Sequence, residues 1–360
     1  MKLEAIQAIA EAVLYEGYLL YPYRHSALKN RQRWTYGVIY PRAYSEAGGE
    51  VEPWCMQTEC LLEAETDADP RLAVSVRFLH LMRCWRAEVE KSVGAEEPGQ
   101  SQERAPLWVQ SSLEHTWEEG IERSVSVMGL PLPDLLQAEQ RLSFAFPARR
   151  LIEETPVGRA SDRSGSIVRE GRTLSGEVRL AAEAVPQHQG LWKLRVSVVN
   201  TTAVEAPETL RAQEALLSAC VSTHTILQVE GGAFVSLMEP PEALSQIAAS
   251  CQNRGTWPVL VGEPGQRDSL LSSPIILYDY PQIAPESPAP LFDGTEIDEL
   301  LALRILTLTD EEKEQIRRGD ARGQAVLEQI EHMTPEQWRQ LHGAIRGLRS
   351  LEEAGHEPDC

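Results

Sequence analysis

The sequence predicts an α+β protein with a mainly antiparallel β-sheet or sandwich in its N-terminal part, an α/β middle and a small helical C-terminal region. Three observations lead to this prediction. Strand-like runs recur through about the first 200 residues without long helices between them, which is typical of antiparallel sheets. The pattern changes near Glu208 to a mixture of short helical and apolar stretches. Capping motifs then mark helices in the C-terminal part.

The first 45 residues predict a helix followed by two short strands. Apolar residues at helical spacing over 4–15 predict one amphipathic helix. Tyr18–Tyr23 and Thr35–Tyr40 are rich in residues that favour strands, with a basic connector between them. Pro22 and Pro41 predict that both strands lie at an edge, because proline cannot donate to a central ladder.

Longer strands are predicted between residues 71 and 200. Arg71–Trp85 alternates apolar and polar residues, although its later part also fits a helix. Leu191–Asn200 alternates clearly, with Leu194 and its even-numbered neighbours on one face. The polar segment 90–106 is predicted to be a mobile loop. Further strands are predicted at Ser124–Met128, Arg141–Phe146 and Ile167–Ala182.

The middle of the chain mixes helix and strand patterns. Helices are predicted at Leu210–Val221 and Ala243–Cys251, and short buried strands at Val259–Val261 and Pro274–Tyr278. Turns are predicted as follows: a hairpin at Gly231–Gly232 and similar turns at 239–242 and 262–265. The proline-rich segment 281–294 has no periodicity, so it predicts a connector.

The C-terminal region is predicted to be helical because two capping boxes occur in it. Thr309 is followed by Glu312 three residues later, and Thr334 is followed by Pro335 and Gln337. The predicted helices are 295–306, 310–318, 321–332 and 335–350. The predicted organisation is therefore a mainly β domain over 1–204, an α/β segment over 205–290 packed on it, and an acidic helical region over 291–360.

Composition limits the classes of function. A formal net charge of -20 disfavours binding to nucleic acids or anionic membranes, because phosphates are repelled by most of the surface. No stretch of 18 apolar residues occurs, and the N-terminus lacks a signal-peptide pattern, so no membrane insertion and a cytoplasmic location are expected. The six cysteines are scattered, so reduced thiols are expected. The oligomeric state is not predicted.

An aromatic and basic segment near the N-terminus is the strongest candidate for an interaction surface. Leu14–Tyr44 holds seven of the nine tyrosines. Such residues dominate binding hot spots, because they bury a large area and still form hydrogen bonds. The alternative is that the rings pack inside and the arginines pair with acids of residues 46–69; the sequence leaves both open. The predicted partner-binding residues are Tyr21, Tyr23, Arg24, Lys29, Arg31, Arg33 and Trp34.

No motif predicts a metal or cofactor site. Cys55 and Cys60, with His80 and Cys84 further along, do not have the spacing of a paired zinc site. Buried cysteines that pack as small apolar groups are the favoured interpretation. No catalytic residue, metal ligand or cofactor is therefore predicted.

One histidine and several acids are candidates for an enzyme site. His224 lies in an apolar run without a nucleophile motif, so a core histidine bonded to a backbone carbonyl is favoured over a general base. Asp279 and Glu286 belong to an acid-containing stretch whose spacing does not match a calcium loop. The alternative hypothesis gathers these three residues in the cleft of a hydrolase or metal-dependent enzyme.

Long segments of the chain resemble an uncharacterised bacterial protein family. The resemblance lies in ALLSACVSTHTILQVEGGAFVSLMEPPEAL, GTWPVLVGEPGQRDSLLSSPIILYDYPQIAPES and LFDGTEIDELLALRILTLTDEEKEQIR, and further in YEGYLLYPYRHSALKNRQRWTYGVIYP and PWCMQTECLL. This family is associated with operons of high-affinity, actinobacterial-type nickel–iron uptake hydrogenases. The resemblance implies an accessory role in making, folding or organising a hydrogenase, and it supplies no catalytic residues.

The leading hypothesis is thus a non-catalytic accessory protein that binds a hydrogenase subunit or a maturation factor. The predicted contact is the aromatic and basic segment, with the helical C-terminus as a second contributor. A subunit of a larger assembly is a third interpretation.

Overall fold

The computed structural model describes residues 2–20, 23–24, 27, 29–49, 51–64, 69–89, 108–110, 116–155, 164–186, 188–283, 291 and 298–341. The chain divides into two compact units. Unit 1 comprises Met1–Tyr18 and Gln32–Pro281, and unit 2 comprises Leu19–Arg31 and Gln282–Cys360. The boundary at 281/282 falls within the segment predicted to be a connector.

Unit 1 contains the strands, and these form two antiparallel sheets. The strands are β1 (Cys55–Glu63), β2 (Arg71–Val89), β3 (Trp108–Gln110), β4 (Thr116–Pro131), β5 (Gln140–Phe146), β6 (Arg149–Thr155), β7 (Ser164–Gly171), β8 (Leu174–Ala184), β9 (Leu191–Asn200), β10 (Val221–Glu230), β11 (Ala233–Val235), β12 (Trp257–Leu260) and β13 (Ser269–Ser273). Its helices are α1 (Lys2–Tyr15), α2 (Arg42–Ala47), α3 (Leu132–Gln137), α4 (Ala212–Leu216) and α5 (Ser245–Ala249).

The smaller sheet has five strands in the order β11-β1-β9-β8-β5. The larger sheet has eight strands. Six of them lie side by side in the order β12-β13-β10-β2-β7-β6, and β3 and β4 also pair with β2. Unit 2 contributes the helices α6 (Asp298–Leu306), α7 (Asp310–Arg317), α8 (Ala321–Glu331) and α9 (Pro335–Gln340). The protein therefore has an α+β fold, as predicted.

Strand β2 is the centre of the larger sheet. Its first half pairs with β10 and its last part with β7, while β4 runs along it from Arg71 to Trp85. The even-numbered residues from Leu72 to Phe78 are buried, as the alternating pattern predicts. The strand interpretation of Arg71–Trp85 is confirmed over its full length, and the helical alternative for its later part is wrong.

The main hydrophobic core of unit 1 is built from residues of both sheets. Phe78 of β2, Val196 of β9 and Phe234 of β11 are among its buried members. A second cluster lies on the opposite face of the larger sheet, where Ile6 and Val13 of α1 join Ile226 of β10. Helix α1 therefore covers one face of the larger sheet, and the apolar stripe predicted for residues 4–15 is the surface that packs there.

No strand forms at Thr35–Tyr40 or at the described residues 18–20 and 23, so both predicted N-terminal strands are wrong there. In their place lie turns, a 3₁₀-helix at Lys29–Gln32 and a single bridge from Ile39 to Cys220. Gly37 explains part of the difference. Its φ is +53°, and a Cβ there would lie 2.8 Å from the backbone nitrogen of Thr223. The close approach of this loop to the start of β10 requires glycine, and it interrupts any regular ladder.

The middle segment 205–290 is not a separate layer, because its strands belong to both sheets. β10 pairs with β2 of the larger sheet, whereas β11 pairs with β1 of the smaller one. Gly231–Gly232 is therefore a crossing between sheets and not a hairpin. The helix predicted at Leu210–Val221 shortens to α4, and Pro274–Tyr278 is not a strand. The strands predicted at Leu191–Asn200 and Val259–Val261 are confirmed by β9 and β12.

The helices of unit 2 lie close to the positions that the sequence predicts. Thr309 and Thr334 both form complete capping boxes, so the starts of α7 and α9 are confirmed. The backbone passes near its own N-terminal piece at Gly323, where a Cβ would lie 2.8 Å from Leu19. Residues 342–350 of the last predicted helix, like the whole of the predicted loop 90–106, lie outside the described residues. Within the described ranges, no helix is long and apolar enough to cross a membrane.

Candidate functional site

The predicted partner-binding residues of unit 1 are interior. Arg33 is 2% exposed and Trp34 is 9% exposed. The Arg33 guanidinium lies 4.4 Å from the Trp34 ring and 5.6 Å from the Tyr18 ring, and it donates to the Glu118 carbonyl. An outward-facing surface is therefore wrong for these residues, because cation–π stacking and an edge-strand carbonyl hold the charge inside.

Arg33 and Tyr18 together cover one end of an edge strand. The Tyr18 hydroxyl accepts the Gly120 N–H at 3.1 Å, two residues from the carbonyl that Arg33 bonds. These backbone groups lie on the edge of β4 away from β2, where an unpaired ladder would otherwise be exposed. The aromatic and basic residues here stabilise the sheet.

The unit 2 residues of the predicted contact have mixed positions. Tyr23 is buried and donates its hydroxyl to the Leu291 carbonyl at 2.6 Å, so its ring packs inside unit 2. Arg24 pairs with Glu312 at 2.7 Å and is 30% exposed, and Lys29 is exposed. Tyr21 and the side chain of Arg31 lie outside the described part of the chain. Partner binding by Arg24, Lys29 and Arg31 stays a prediction.

We expect Arg33→Ala to destabilise unit 1 by about 3 kcal/mol, since it removes a buried side chain and its stacking contacts. Arg33→Met should cost about 1 kcal/mol or less, because it keeps the volume and removes two buried guanidinium nitrogens that have no partner in the described residues. Urea unfolding followed by tryptophan fluorescence measures both.

Arg42→Ala is the control for the Arg33 variants. Arg42 is 53% exposed and pairs with Glu46. Its loss should change the free energy of unfolding by less than about 1 kcal/mol. An Arg33→Ala protein as stable as Arg42→Ala would contradict the interior role of Arg33.

His224 is a buried core histidine, which is the favoured interpretation from the sequence. Its Nδ1–H donates to the Ser222 carbonyl at 3.0 Å, and Nε2 has no partner among the described residues. Burial, with a smaller contribution from nearby Arg77, lowers its pKa to about 4 against the raising effect of the Ser222 bond. The imidazole is therefore neutral at pH 7. A β-bulge at Ser222, whose φ is +51°, turns the chain there.

The structure does not bring the alternative enzyme residues together. Asp279 lies beyond β12, and β12 and β13 separate it from β10, which carries His224. Its carboxylate accepts the Leu260 N–H at 2.8 Å and the Ser236 hydroxyl at 2.5 Å, so it holds the backbone. Glu286 lies outside the described residues.

The cysteines also form no metal site in the described part of the chain, where no group of three or more potential metal ligands occurs. Cys60 and Cys84 are buried, in separate apolar clusters. Burial raises the pKa of the Cys60 thiol strongly. Such a thiol is protonated and packs as an apolar group.

A candidate site that the sequence did not single out lies at the β12 edge of the larger sheet. Ile276 is 69% exposed and Tyr278 is 79% exposed. Two further large apolar residues are exposed. Trp257 begins β12, and Met238 follows β11. We call Met238, Trp257, Ile276 and Tyr278 the apolar edge surface.

The backbone under this surface is fixed. The chain leaves β13 opposite Trp257, and by Asp279 it has returned to Leu260, so residues 274–279 run alongside β12. Tyr280 donates its N–H to the Leu260 carbonyl at 2.7 Å, and Leu277 packs against the α1 cluster. Ile276 and Tyr278 therefore point outward from a hydrogen-bonded segment.

Asp279 also ties Met238 to the same place. The Ser236 hydroxyl, which donates to Asp279, accepts the N–H of Met238 at 3.1 Å. One carboxylate thus organises the two loops that carry exposed apolar side chains. A sequence signal for this site exists, since Ile276 and Tyr278 are apolar within a Pro-flanked stretch, but it predicts a buried strand equally well.

Comparison with known families finds no family model that matches this chain, and comparison with curated proteins finds no significant match. The resemblance to the hydrogenase-associated family stays a prediction.

Proposed function

We propose that this protein is an accessory factor that binds a subunit of a nickel–iron hydrogenase, or a maturation factor of that enzyme, through the apolar edge surface. The observation that carries the proposal is the outward position of Ile276 and Tyr278 on a hydrogen-bonded backbone. Both residues lie in GTWPVLVGEPGQRDSLLSSPIILYDYPQIAPES, a segment that resembles the family.

The physical argument concerns the cost of exposed apolar groups. Covering a Tyr or Ile side chain on binding gains about 1.5–3 kcal/mol for each. Clustered exposed apolar residues mark interaction sites, and rigid aromatic anchors lose little entropy when they bind. Because Asp279 and Tyr280 fix the backbone, this surface is prepared for a partner before contact.

Charge limits the kind of partner. The chain carries a net charge of -20, which disfavours nucleic acids and anionic lipid surfaces. A protein partner with an apolar pocket and a neutral or basic rim would be complementary both to the negative net charge and to the apolar edge surface. As part of the same proposal, the protein acts in the cytoplasm, where fractionation of the host would recover it.

We expect Ile276→Asp combined with Tyr278→Asp to abolish co-purification with hydrogenase subunits from the native host, because two charges would be desolvated in the interface. The double variant should fold, since both side chains are mainly exposed. The measurement is affinity capture of the tagged full chain, with identification of the subunits and metal analysis of the eluate.

Val51→Asp is the matched control, because Val51 is 82% exposed and lies outside the apolar edge surface. It should capture the same subunits as the unmodified chain. Capture of hydrogenase subunits that survives the double variant would refute the surface while keeping the function. Failure of the unmodified chain to capture any would refute the function. A solution mass far above 40.1 kDa that the double variant reduces would instead show self-association.

A further inference from the structure

In unit 1, two basic side chains lie against one aromatic ring, and a third interacts with both of them electrostatically. They are His80 of β2, Arg123 of β4 and Arg149 at the start of β6. The Arg123 guanidinium carbon lies 4.5 Å from the centroid of the Phe146 ring, and the His80 ring centroid lies 6.5 Å from it. Arg123 pairs in register with Phe78, two residues before His80, so both basic side chains lie on the same face of their strands.

Three buried nitrogen atoms of this cluster have no hydrogen-bond partner among the described residues. His80 is 2% exposed, yet neither ring nitrogen has a hydrogen-bond partner of normal geometry in the described part of the chain. The backbone carbonyls of Leu217 and Arg172 lie near the ring and act to raise its pKa, against the larger lowering effects of burial and Arg123. The Nε of Arg123 is also buried without a partner. Buried donors without partners are costly, so such a cluster indicates a ligand.

The charge of the cluster is also uncompensated. Neighbouring arginines are paired with acids, as Arg172 is with Glu214 and Arg169 is with Glu119. No ion pair joins Arg123 or Arg149 to an acid among the described residues. Desolvation and then the charge of Arg149 lower the pKa of Arg123. Among the described residues, Arg123 and Arg149 therefore interact with each other without an acidic partner, in a chain whose net charge is -20.

We propose that Arg123, Arg149 and His80 form a binding site for the oxyanion of a small molecule, a phosphate or carboxylate group. Guanidiniums bind both groups through two parallel N–H donors. Burial lowers the pKa of His80 to about 4, with Arg123 adding to the effect, so the neutral ring contributes one N–H donor at pH 7. Phe146 fixes the Arg123 side chain in place. This site is distinct from the apolar edge surface and does not depend on the hydrogenase proposal.

A purely structural role makes a different prediction. If Arg123 only stacks on Phe146 and His80 only fills the core, added anions will act through general screening and will not discriminate between neighbouring arginines. Arg150 provides that comparison. It follows Arg149 in β6, and its guanidinium lies 5.6 Å from the Trp85 ring, so alternation places it on the opposite face.

The test is a titration of the full-length protein, labelled with ¹⁵N-histidine, with inorganic phosphate in one arm and malonate in the other, at pH 7 and constant ionic strength. We expect the ¹⁵N signals of the His80 ring to shift saturably as the anion is added. These signals are identified by their absence from the spectrum of the His80→Gln variant. Arg149→Gln should weaken the binding at least tenfold, whereas Arg150→Gln should leave it within twofold. Arg149 is exposed, so its variant is expected to fold, and near-ultraviolet circular dichroism checks this.

Each outcome decides the proposal. Saturation by phosphate alone assigns a phosphate ligand, and saturation by malonate alone assigns a carboxylate ligand. Absence of saturable shifts in both arms overturns the proposal. Equal weakening by Arg149→Gln and Arg150→Gln overturns it as well, because it would show screening without a site.

Discussion

Asn200→Asp is expected to destabilise unit 1 by more than about 4 kcal/mol at pH 7, although the two side chains have the same shape. Asn200 is completely buried at the end of β9. Its Nδ2 donates to the carbonyls of Ile39 and Ser218 at 2.9 and 2.8 Å, and its Oδ1 accepts the Thr202 N–H at 3.0 Å. The substitution removes both donors and directs a charged oxygen at the carbonyls of Ile39 and Ser218, of which the Ile39 carbonyl still accepts the Cys220 N–H.

The pH dependence of this variant has a definite sign. In the folded chain, two carbonyls and burial raise the pKa of the new carboxyl above its unfolded value. The variant therefore loses stability as the pH rises from the unfolded pKa to the folded one, and it is least impaired in acid. Denaturant unfolding at several pH values measures this.

Asn253→Asp is the control for this chemical change. The Asn253 Oδ1 accepts the Glu59 N–H at 2.8 Å, and an aspartate keeps that acceptor. We expect its cost to be less than half that of Asn200→Asp. Equal costs at the two positions would contradict the special role of the Asn200 donors.

Acidification alone should weaken unit 1 strongly between pH 6.5 and 4. Burial lowers the pKa of both His80 and His224 to about 4 in the folded chain, whereas unfolded histidine binds a proton near pH 6.5. In this window the unfolded state binds more protons, so the free energy of unfolding falls as the pH falls. Each histidine contributes up to about 3 kcal/mol of lost stability.

Variants without the titrating rings test this prediction. His224→Asn keeps a donor for the Ser222 carbonyl and cannot take up a proton. We expect it to remove about half of the acid-dependent loss, and His80→Gln to remove a similar share. The measurement is the free energy of unfolding at steps between pH 7.5 and 4.5. If the free energy of unfolding falls with pH equally in the unmodified chain and in both variants, other groups govern the acid sensitivity.

The sequence predicts an element well where the signal is local. Both capping boxes of unit 2 are confirmed, because a Thr and the residue three positions later determine a helix start between them. The strand at Leu191–Asn200 is confirmed at both ends, since alternation alone specifies it. Strands β1 and β10 were missed. β10 is buried at eight of its ten residues and β1 at six of nine, five of them consecutive, so neither strand has a clear alternating pattern to detect.

The interior position of Arg33 and Trp34 could not be predicted from the sequence, for a physical reason. Tyr and Arg serve equally well in binding hot spots and in interior cation–π stacks, and composition does not separate the two uses. Arg33 and Trp34 are buried against β4. The Trp34 indole N–H donates to the carboxylate of Glu118 in β4, which lies 84 residues further along the chain. The exposure of Ile276 and Tyr278 likewise depends on hydrogen bonds that the Asp279 carboxylate accepts from Leu260 of β12 and from Ser236. Such long-range contacts have no signature in the local sequence.

The pairing of distant strands has a consequence for how the protein is made. β1 joins β9, and β2 joins β10, so the middle of each sheet combines the early and the late parts of unit 1. During synthesis on the ribosome, neither sheet acquires its full set of neighbours until β10 has emerged. Sheets dominated by such pairings form slowly. The nascent chain must therefore keep the apolar face of β2 from premature association for most of its translation.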